Sequence, residues 1–143
     1  MEVETVRIYT DGAARGNPGH SASGFMVYGK DGKLLKKHAE YNGIKTNNFA
    51  EYRAVMLALE WCLKGLAFPP HATIALYSDS EVVVRQLNGT YKSKSKALQP
   101  LKSQVKELEK GFKSVTFNNV PREEEHIKLV DRSLNDLLDS LGK

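Results

Sequence analysis

The stretch VRIYTDGAARGNPGHSASG, residues 6–24, contains the strongest indications of the fold. Apolar and polar side chains alternate from residue 3 to residue 10, which is typical of a β-strand with one buried face. The alternation ends at Asp11-Gly12, and residues 12–24 contain four glycines, a proline and an asparagine. Because glycine and proline favour turns, we expect a loop or wide turn over residues 12–24.

Further along the chain, the pattern predicts strands over residues 25–28 and 33–41. The Asp31-Gly32 pair between them is a hairpin signal, so the first three strands should form an antiparallel meander. The remaining predicted elements are a helix over 49–64, a strand over 72–78, a helix capped by Ser80 and ending at Leu87, a helix over 97–110, a strand over 112–117 and a helix over 124–141. This order predicts an α/β fold with a mixed sheet.

The composition is that of an ordinary globular protein. The 143 residues fit one domain, 1–143, and 41% of them are hydrophobic and 27% charged. A single cysteine, Cys62, excludes an internal disulfide framework and a cysteine-rich zinc site. The longest apolar run, Ala54 to Leu59, is too short to cross a bilayer, and the acidic N-terminus lacks a signal-peptide pattern. We therefore expect a cytoplasmic protein without membrane association.

The formal net charge of +4 is unevenly distributed along the chain. Residues 92–113 contain seven lysines and two acidic residues, whereas residues 122–143 contain four basic and six acidic residues. A lysine-rich segment can bind phosphates, and it can equally be a solvated helix face and loop. The charge alone leaves both interpretations open.

Four acidic residues stand where the predicted fold can bring them together. Asp11 and Asp79 each follow a predicted strand, and ligands gather at the carboxyl ends of strands in sheets with helical crossovers. Glu51 begins an otherwise apolar helix face, and Asp131 has a similar setting in the last helix. Each position also has a purely structural explanation, namely turn formation or capping for the strand-end aspartates, the helix dipole for Glu51 and solvent exposure for Asp131.

Carboxylates that share one cleft repel one another strongly unless cations compensate their charge. A set of oxygen ligands suits Mg²⁺ or Mn²⁺. Two such ions about 4 Å apart can activate a water and stabilise the leaving oxygen in phosphodiester cleavage. The sequence therefore contains the components of a two-metal nuclease.

Four segments, in order along the chain, resemble the motifs of the ribonuclease H type 1 family. They are YTDGAARGNPG at residues 9–19, TNNFAEYRA at 46–54, SDS at 78–80, and VPRE at 120–123 leading to VDRSLN at 130–135. The resemblance extends from about residue 6 to residue 138. It implies the ribonuclease H-like fold, a five-stranded mixed sheet with helices on both faces.

The resemblance also implies the roles of individual residues. The positions that match the family's catalytic metal ligands, for two Mg²⁺ or Mn²⁺ ions, are Asp11, Glu51, Asp79 and Asp131. The positions that match contacts to the minor groove and 2′-hydroxyls of a hybrid are Asn17, Asn47 and Asn48. Thr46 matches a position near the DNA phosphate, and His126 can take the role of a family histidine that assists proton movement or product release. For Asn47 and Asn48, helix capping is the alternative.

This chain resembles the compact members of the family. Where larger members have a basic insertion with tryptophans, this sequence has only residues 91–99, with Lys92, Lys94 and Lys96. These lysines can contact phosphates in place of the missing protrusion.

The sequence thus predicts a metal-dependent endonuclease, a ribonuclease H, that hydrolyses the RNA strand of RNA–DNA hybrids and leaves 5′-phosphate and 3′-hydroxyl products. We expect the hybrid duplex as its partner, no obligatory protein partner and a monomer. A non-catalytic hybrid-binding module and a related nuclease acting on other duplexes are the alternatives. The four acidic residues favour an enzyme, since a pure binder gains nothing from negative charge beside phosphates.

Overall fold

The computed structural model describes residues 4–89 and 95–143. Within these residues, the strands and helices occur in the predicted order. The strands are β1 (Glu4–Gly16), β2 (Gly19–Tyr28), β3 (Leu34–Lys45), β4 (Ala72–Ser78) and β5 (Ser114–Asn119). The helices are α1 (Asn47–Gly65), α2 (Glu81–Leu87), α3 (Gln99–Glu109) and α4 (Glu125–Ser140), with a short 3₁₀ turn at Pro69–His71.

In the part of the chain that is described, the five strands form one mixed sheet in the order β3-β2-β1-β4-β5. β1, β2 and β3 form the predicted antiparallel meander. β4 pairs in parallel with β1 on one side and with β5 on the other. The carboxyl ends of β1, β4 and β5 therefore meet at the same edge of the sheet.

The prediction of a loop or wide turn over residues 12–24 is wrong. β1 continues to Gly16 and β2 begins at Gly19, and the two strands pair along this whole segment. An ideal Cβ at Gly12 would lie 2.3 Å from the backbone carbon of Ala50, and one at Gly24 would lie 2.8 Å from a methyl carbon of Leu134. These two glycines thus allow helices to approach the sheet closely on either face, and they do not interrupt the strands.

Helices cover both faces of the sheet, as expected from the family resemblance. On one face, Val6 and Ile8 of β1 belong to the same buried cluster as Val55 and Leu59 of α1. On the other face, the buried residues that pack together are Tyr9, Met26, Ile127 and Val130. The alternation of side chains along β1 therefore directs odd-numbered positions towards α4 and even-numbered positions towards α1.

In the described residues, no helix combines the length and the apolar composition needed to span a membrane.

Candidate active site

Asp11 and Asp79 lie next to each other at the sheet edge formed by the carboxyl ends of β4 and its parallel neighbour β1. Thr10 pairs with Ser78 in the parallel register, and each aspartate directly follows one member of this pair. Asp11 is only 5% exposed. It lies within β1, because that strand continues past the predicted end, whereas Asp79 follows the last residue of β4. The parallel pairing of two non-consecutive strands thus creates an acidic pair.

Glu51 reaches the same edge from α1, where it is the fifth residue of the helix. Its side chain is buried, and its carboxylate accepts a hydrogen bond from the backbone N–H of Gly12. The missing side chain at Gly12 allows this part of the helix to lie directly against β1. One carboxylate oxygen from each of Asp11, Glu51 and Asp79 lies within 4.8 Å of the others.

Asp131 approaches the acidic residues from α4, on the opposite face of the sheet. It is exposed, and it lines a cavity of about 330 Å³ together with Asp11 and Asp79. The amide nitrogen of Asn135 donates to the Asp131 carboxylate at 3.3 Å. The structure therefore places Asp131 at the cavity of the acidic pair, but outside the group of three carboxylates within 4.8 Å.

The electrostatic environment of these carboxylates is unfavourable for ionisation. Burial, and then the charge of Asp79, raises the pKa of Asp11 to about 8. Burial, and then the charges of Asp11 and Asp79, raises the pKa of Glu51 well above its usual value. Burial also raises the pKa of Asp79, while the guanidinium of Arg122 acts in the opposite direction.

This donor set fits a divalent cation. Three close carboxylates supply oxygen ligands only, which is the chemistry that Mg²⁺ and Mn²⁺ prefer. The raised pKa values of Asp11 and Glu51 indicate that the protein alone does not compensate their charge. A bound cation would supply the missing positive charge and favour the ionised carboxylates.

Two basic side chains, Arg122 and Lys128, also line the carboxylate cavity. Arg122 follows β5, and Lys128 lies in α4 before Asp131. The parallel pairing of β4 and β5 brings the segment after β5 to the same edge as Asp79. Arg122 could have been placed at this edge only from the parallel pairing of β5 with β4, because the chain that leaves β5 passes the same edge.

His126 lies in an adjacent cavity and is held by aromatic contacts. Its ring stacks on Tyr9, and its Nδ1 atom is 2.8 Å from a carboxylate oxygen of Glu124. His126 lines the cavity that contains Tyr9 and Tyr77, whereas the carboxylate cavity is lined by its neighbour Ile127. The catalytic role expected for His126 remains a prediction.

Two of the polar residues expected to contact substrate, Asn17 and Asn47, join the β1–β2 hairpin to the start of α1. Asn17 Oδ1 accepts from the backbone N–H of Asn47 at 3.0 Å, and Asn47 Oδ1 accepts from that of Ala14 at 3.0 Å. Thr46 caps α1, because its Oγ1 accepts from the N–H of Phe49 at 3.1 Å. The helix cap is therefore Thr46, and Asn47 and Asn48 are the first helical residues.

A groove of about 590 Å³ runs beside these residues. The residues lining it are Asn17, Pro18, Ile44, Lys45, Thr46, Asn48, Phe49, Ser95, Ala97 and Leu98. It brings three of the four expected substrate contacts to one surface, next to the segment that stands in place of the basic protrusion. Of the residues considered in that segment, Tyr91, Lys92 and Lys94 lie outside the described residues.

Part of the lysine-rich segment has structural partners. Lys106 donates to the backbone carbonyl of Leu87 and forms an ion pair with Glu109 at 3.1 Å. Lys110 forms an ion pair with Glu107 at 3.0 Å. For these two lysines, the structure favours the interpretation as part of a helix surface.

Comparisons with known proteins identify the family. The RNase H family model matches residues 3–129. Ribonuclease HI of Halobacterium salinarum is 36% identical over 117 residues, which make up 82% of this chain and 57% of that protein. The chain therefore spans little more than half the length of this relative.

Solved structures agree with that match over nearly the whole chain. The crystal structure of RNase H1 from Halobacterium salinarum is 34% identical, with a TM-score of 0.87 and coverage of 95% of this chain and 98% of that one. The crystal structure of LC11-RNase H1 in complex with RNA/DNA hybrid is 30% identical, with a TM-score of 0.88 and coverage of 96% and 99%. The family match, the mixed sheet and the carboxylates at its edge lead to one conclusion: this chain belongs to the RNase H family.

Proposed function

We propose that this chain is a metal-dependent endonuclease that hydrolyses the RNA strand of RNA–DNA hybrids. The observation that carries the proposal is the group of carboxylates from Asp11, Glu51 and Asp79 within 4.8 Å of one another. The similarity to LC11-RNase H1, whose structure contains an RNA/DNA hybrid, supports the choice of substrate. The expected products carry a 5′-phosphate and a 3′-hydroxyl.

The residues that would hold the cations are Asp11, Glu51, Asp79 and Asp131. Two Mg²⁺ or Mn²⁺ ions, when bound, would supply positive charge for the leaving oxygen and lower the pKa of an attacking water. The N–H of Gly12 orients the Glu51 carboxylate, and Arg122 favours the ionised form of Asp79. Each of these contacts lowers the pKa of its carboxylate and so favours the ionised form that binds a cation.

The chain's other polar residues would bind and orient the duplex. We assign the groove lined by Asn17, Thr46 and Asn48 to the hybrid. Asn47, which is bonded to Asn17, would contact the duplex beside it. An amide side chain can donate to and accept from a 2′-hydroxyl, which distinguishes RNA from DNA. Arg122 and Lys128 supply positive charge beside the carboxylates, where a phosphate of the RNA strand would lie.

A cleavage assay with a labelled RNA strand tests the proposal. The purified chain should cleave the hybrid with Mg²⁺ or Mn²⁺ and lose this activity with EDTA. Asp79→Asn should reduce the rate more than about 100-fold, whereas Asp136→Asn, the same change at an exposed position of α4, should retain it. Stable hybrid binding without products would indicate a binding module, and preferred cleavage of duplex RNA or duplex DNA would indicate a related nuclease.

Several expectations from the sequence remain predictions. They are the single domain over residues 1–143, the monomeric state, the absence of an obligatory protein partner and the cytoplasmic location. The roles of the individual site residues are predictions too, and substitution of each residue tests them.

A further inference from the structure

Ser23 joins β2 to the first turn of α1 by a buried hydrogen bond. Its side chain is fully buried, and its hydroxyl donates to the backbone carbonyl of Ala50 at 2.6 Å. Ala50 directly precedes Glu51 in α1. Ser23 thus binds the residue immediately before Glu51, whose carboxylate belongs to the acidic group.

Ser23 and Gly12 form one contact surface for this turn of α1. They are paired in the β1–β2 register, so they are direct neighbours on the same face of the sheet. Gly12 donates its backbone N–H to the Glu51 carboxylate, and Ser23 donates its hydroxyl to the Ala50 carbonyl. The two bonds hold a side chain and a main-chain group of consecutive residues, which restricts both the position and the rotation of the turn.

Asn42 of β3 determines the direction of the Ser23 hydroxyl. Its Nδ2 atom donates to Ser23 Oγ at 2.8 Å. A hydroxyl has a single hydrogen, and here a lone pair is occupied by the amide, so the hydrogen is left for the Ala50 carbonyl.

A β-bulge positions the Asn42 side chain. Tyr41 pairs with Ala22 and Gly43 with Ser21, so β3 has one more residue here than β2, and Asn42 is the extra one. Gly43 has a φ of 83°, a conformation that glycine adopts without strain. Bulges commonly redirect a side chain near functional sites, and this bulge directs Asn42 to Ser23.

We propose that Ser23, oriented by Asn42, is a positioning residue for Glu51. It holds the first turn of α1 at the distance from the sheet at which the Glu51 carboxylate joins those of Asp11 and Asp79. The part of this inference that concerns cleavage rests on the proposed function, whereas the part that concerns cation binding does not.

Ser21 provides a matched control within the same strand. It is also fully buried, and its hydroxyl also donates to a backbone carbonyl, that of Gly43 at 3.1 Å. Its bond runs to β3 and leads away from α1. Ser21→Ala and Ser23→Ala each remove one hydroxyl and its bond to a backbone carbonyl, and Ser23→Ala also removes the acceptor for Asn42 Nδ2. Only the Ser23 bond reaches α1, at the residue before Glu51.

The test compares Mn²⁺ binding by the full chain with isothermal titration calorimetry, and hybrid cleavage under the same conditions. Ser23→Ala should weaken Mn²⁺ binding about ten-fold and lower kcat with little change in KM, while Ser21→Ala stays within about two-fold of wild type. Asn42→Ala keeps the Ser23 hydroxyl but removes the amide that directs its hydrogen to the Ala50 carbonyl. This variant should weaken Mn²⁺ binding about three-fold. This second variant keeps the test decisive if Ser23→Ala does not fold.

Unchanged Mn²⁺ binding in Ser23→Ala, or in Asn42→Ala where Ser23→Ala does not fold, would overturn the proposal. Equal losses in Ser23→Ala and Ser21→Ala would overturn it as well, because they would show a general effect on stability. A wild-type chain that binds Mn²⁺ but does not cleave the hybrid would contradict the proposed substrate, and the variants' Mn²⁺ affinities would still decide the role of Ser23.

Discussion

The imidazole ring of His126 stacks on the phenol ring of Tyr9, with ring centroids 4.2 Å apart and planes inclined by 19°. Tyr28 packs edge-on against the same imidazole at 5.1 Å. Together with the contact between His126 and Glu124, this arrangement holds the start of α4 on the sheet. These ring contacts, and the place of His126 outside the carboxylate cavity, favour a packing role for this residue.

Substitution of His126 separates packing from proton transfer. His126→Ala should lower the free energy of unfolding by about 1 kcal/mol, the usual contribution of an aromatic pair. His126→Phe keeps the stack, so it should recover most of this loss and cleave the hybrid within about three-fold of the wild-type rate. Urea denaturation and initial rates measure the two effects. A fall in kcat of roughly 100-fold or more in His126→Phe would show that the imidazole moves a proton.

The stability of the metal-free protein should depend on pH through Asp11. Burial and the charge of Asp79 raise its pKa to about 8 in the folded state, whereas the usual value for aspartate is 3.8. The folded state therefore binds more protons than the unfolded state between these values, and the free energy of unfolding should fall as the pH rises through this range. Urea denaturation in EDTA at several pH values measures this dependence.

Asp11→Asn should remove the part of that pH dependence that comes from Asp11, while the raised pKa values of Glu51 and Asp79 leave a weaker dependence of the same sign. Asparagine is uncharged at every pH, so at about pH 8 the metal-free variant should be roughly 1–2 kcal/mol more stable than wild type, while cleavage is lost. Asp136→Asn, at an exposed position, should follow the wild-type curve. If Asp11→Asn is less stable than wild type at high pH, the charge of Asp11 does not destabilise the fold.

The sequence was most informative where local chemistry determines structure. The bounds of β4 agree with the prediction, and α2 is capped by Ser80 as expected, because its side chain accepts from the N–H of Val83. The acidic edge was also predictable, since parallel strands with helical crossovers bring their carboxyl ends together. Asp11 and Asp79 are neighbours for this reason.

The sequence was misleading where a residue's role depends on distant contacts. Gly12 and Gly24 resemble turn residues in the sequence, but in the fold they make room for Ala50 and Leu134. The bulge at Asn42 depends on pairing with β2, which no local pattern shows. The same limitation concealed Arg122, whose position follows from the pairing of β5 with β4.

Arg122 should influence the pH dependence of cleavage. Its guanidinium opposes the effect of burial on Asp79, so Arg122→Ala should raise the pKa of Asp79 further. A larger fraction of Asp79 would then be protonated at a given pH. The acidic limb of the pH–rate profile should therefore shift to higher pH, by roughly half a pH unit. Arg122→Lys retains the charge and should restore the wild-type profile. An unchanged profile in Arg122→Ala would show that this charge does not act on the catalytic carboxylates.

The close approach of α1 to β1 should make Gly12 intolerant of any side chain. A Cβ there would lie 2.3 Å from a main-chain atom of Ala50, and neither the helix nor the strand can yield as a flexible side chain would. Gly12→Ala should therefore lower the free energy of unfolding by about 3 kcal/mol or more, and it should weaken Mn²⁺ binding through the displaced Glu51. In Gly29→Ala, the nearest atom is a side-chain oxygen of Asp31 at 3.3 Å, which can move, so the loss should stay below about 1 kcal/mol. Urea denaturation of both variants in EDTA measures the difference. Equal stability of Gly12→Ala and Gly29→Ala would mean that the first turn of α1 can be displaced from the sheet at little cost, and that Glu51 does not owe its position to this glycine.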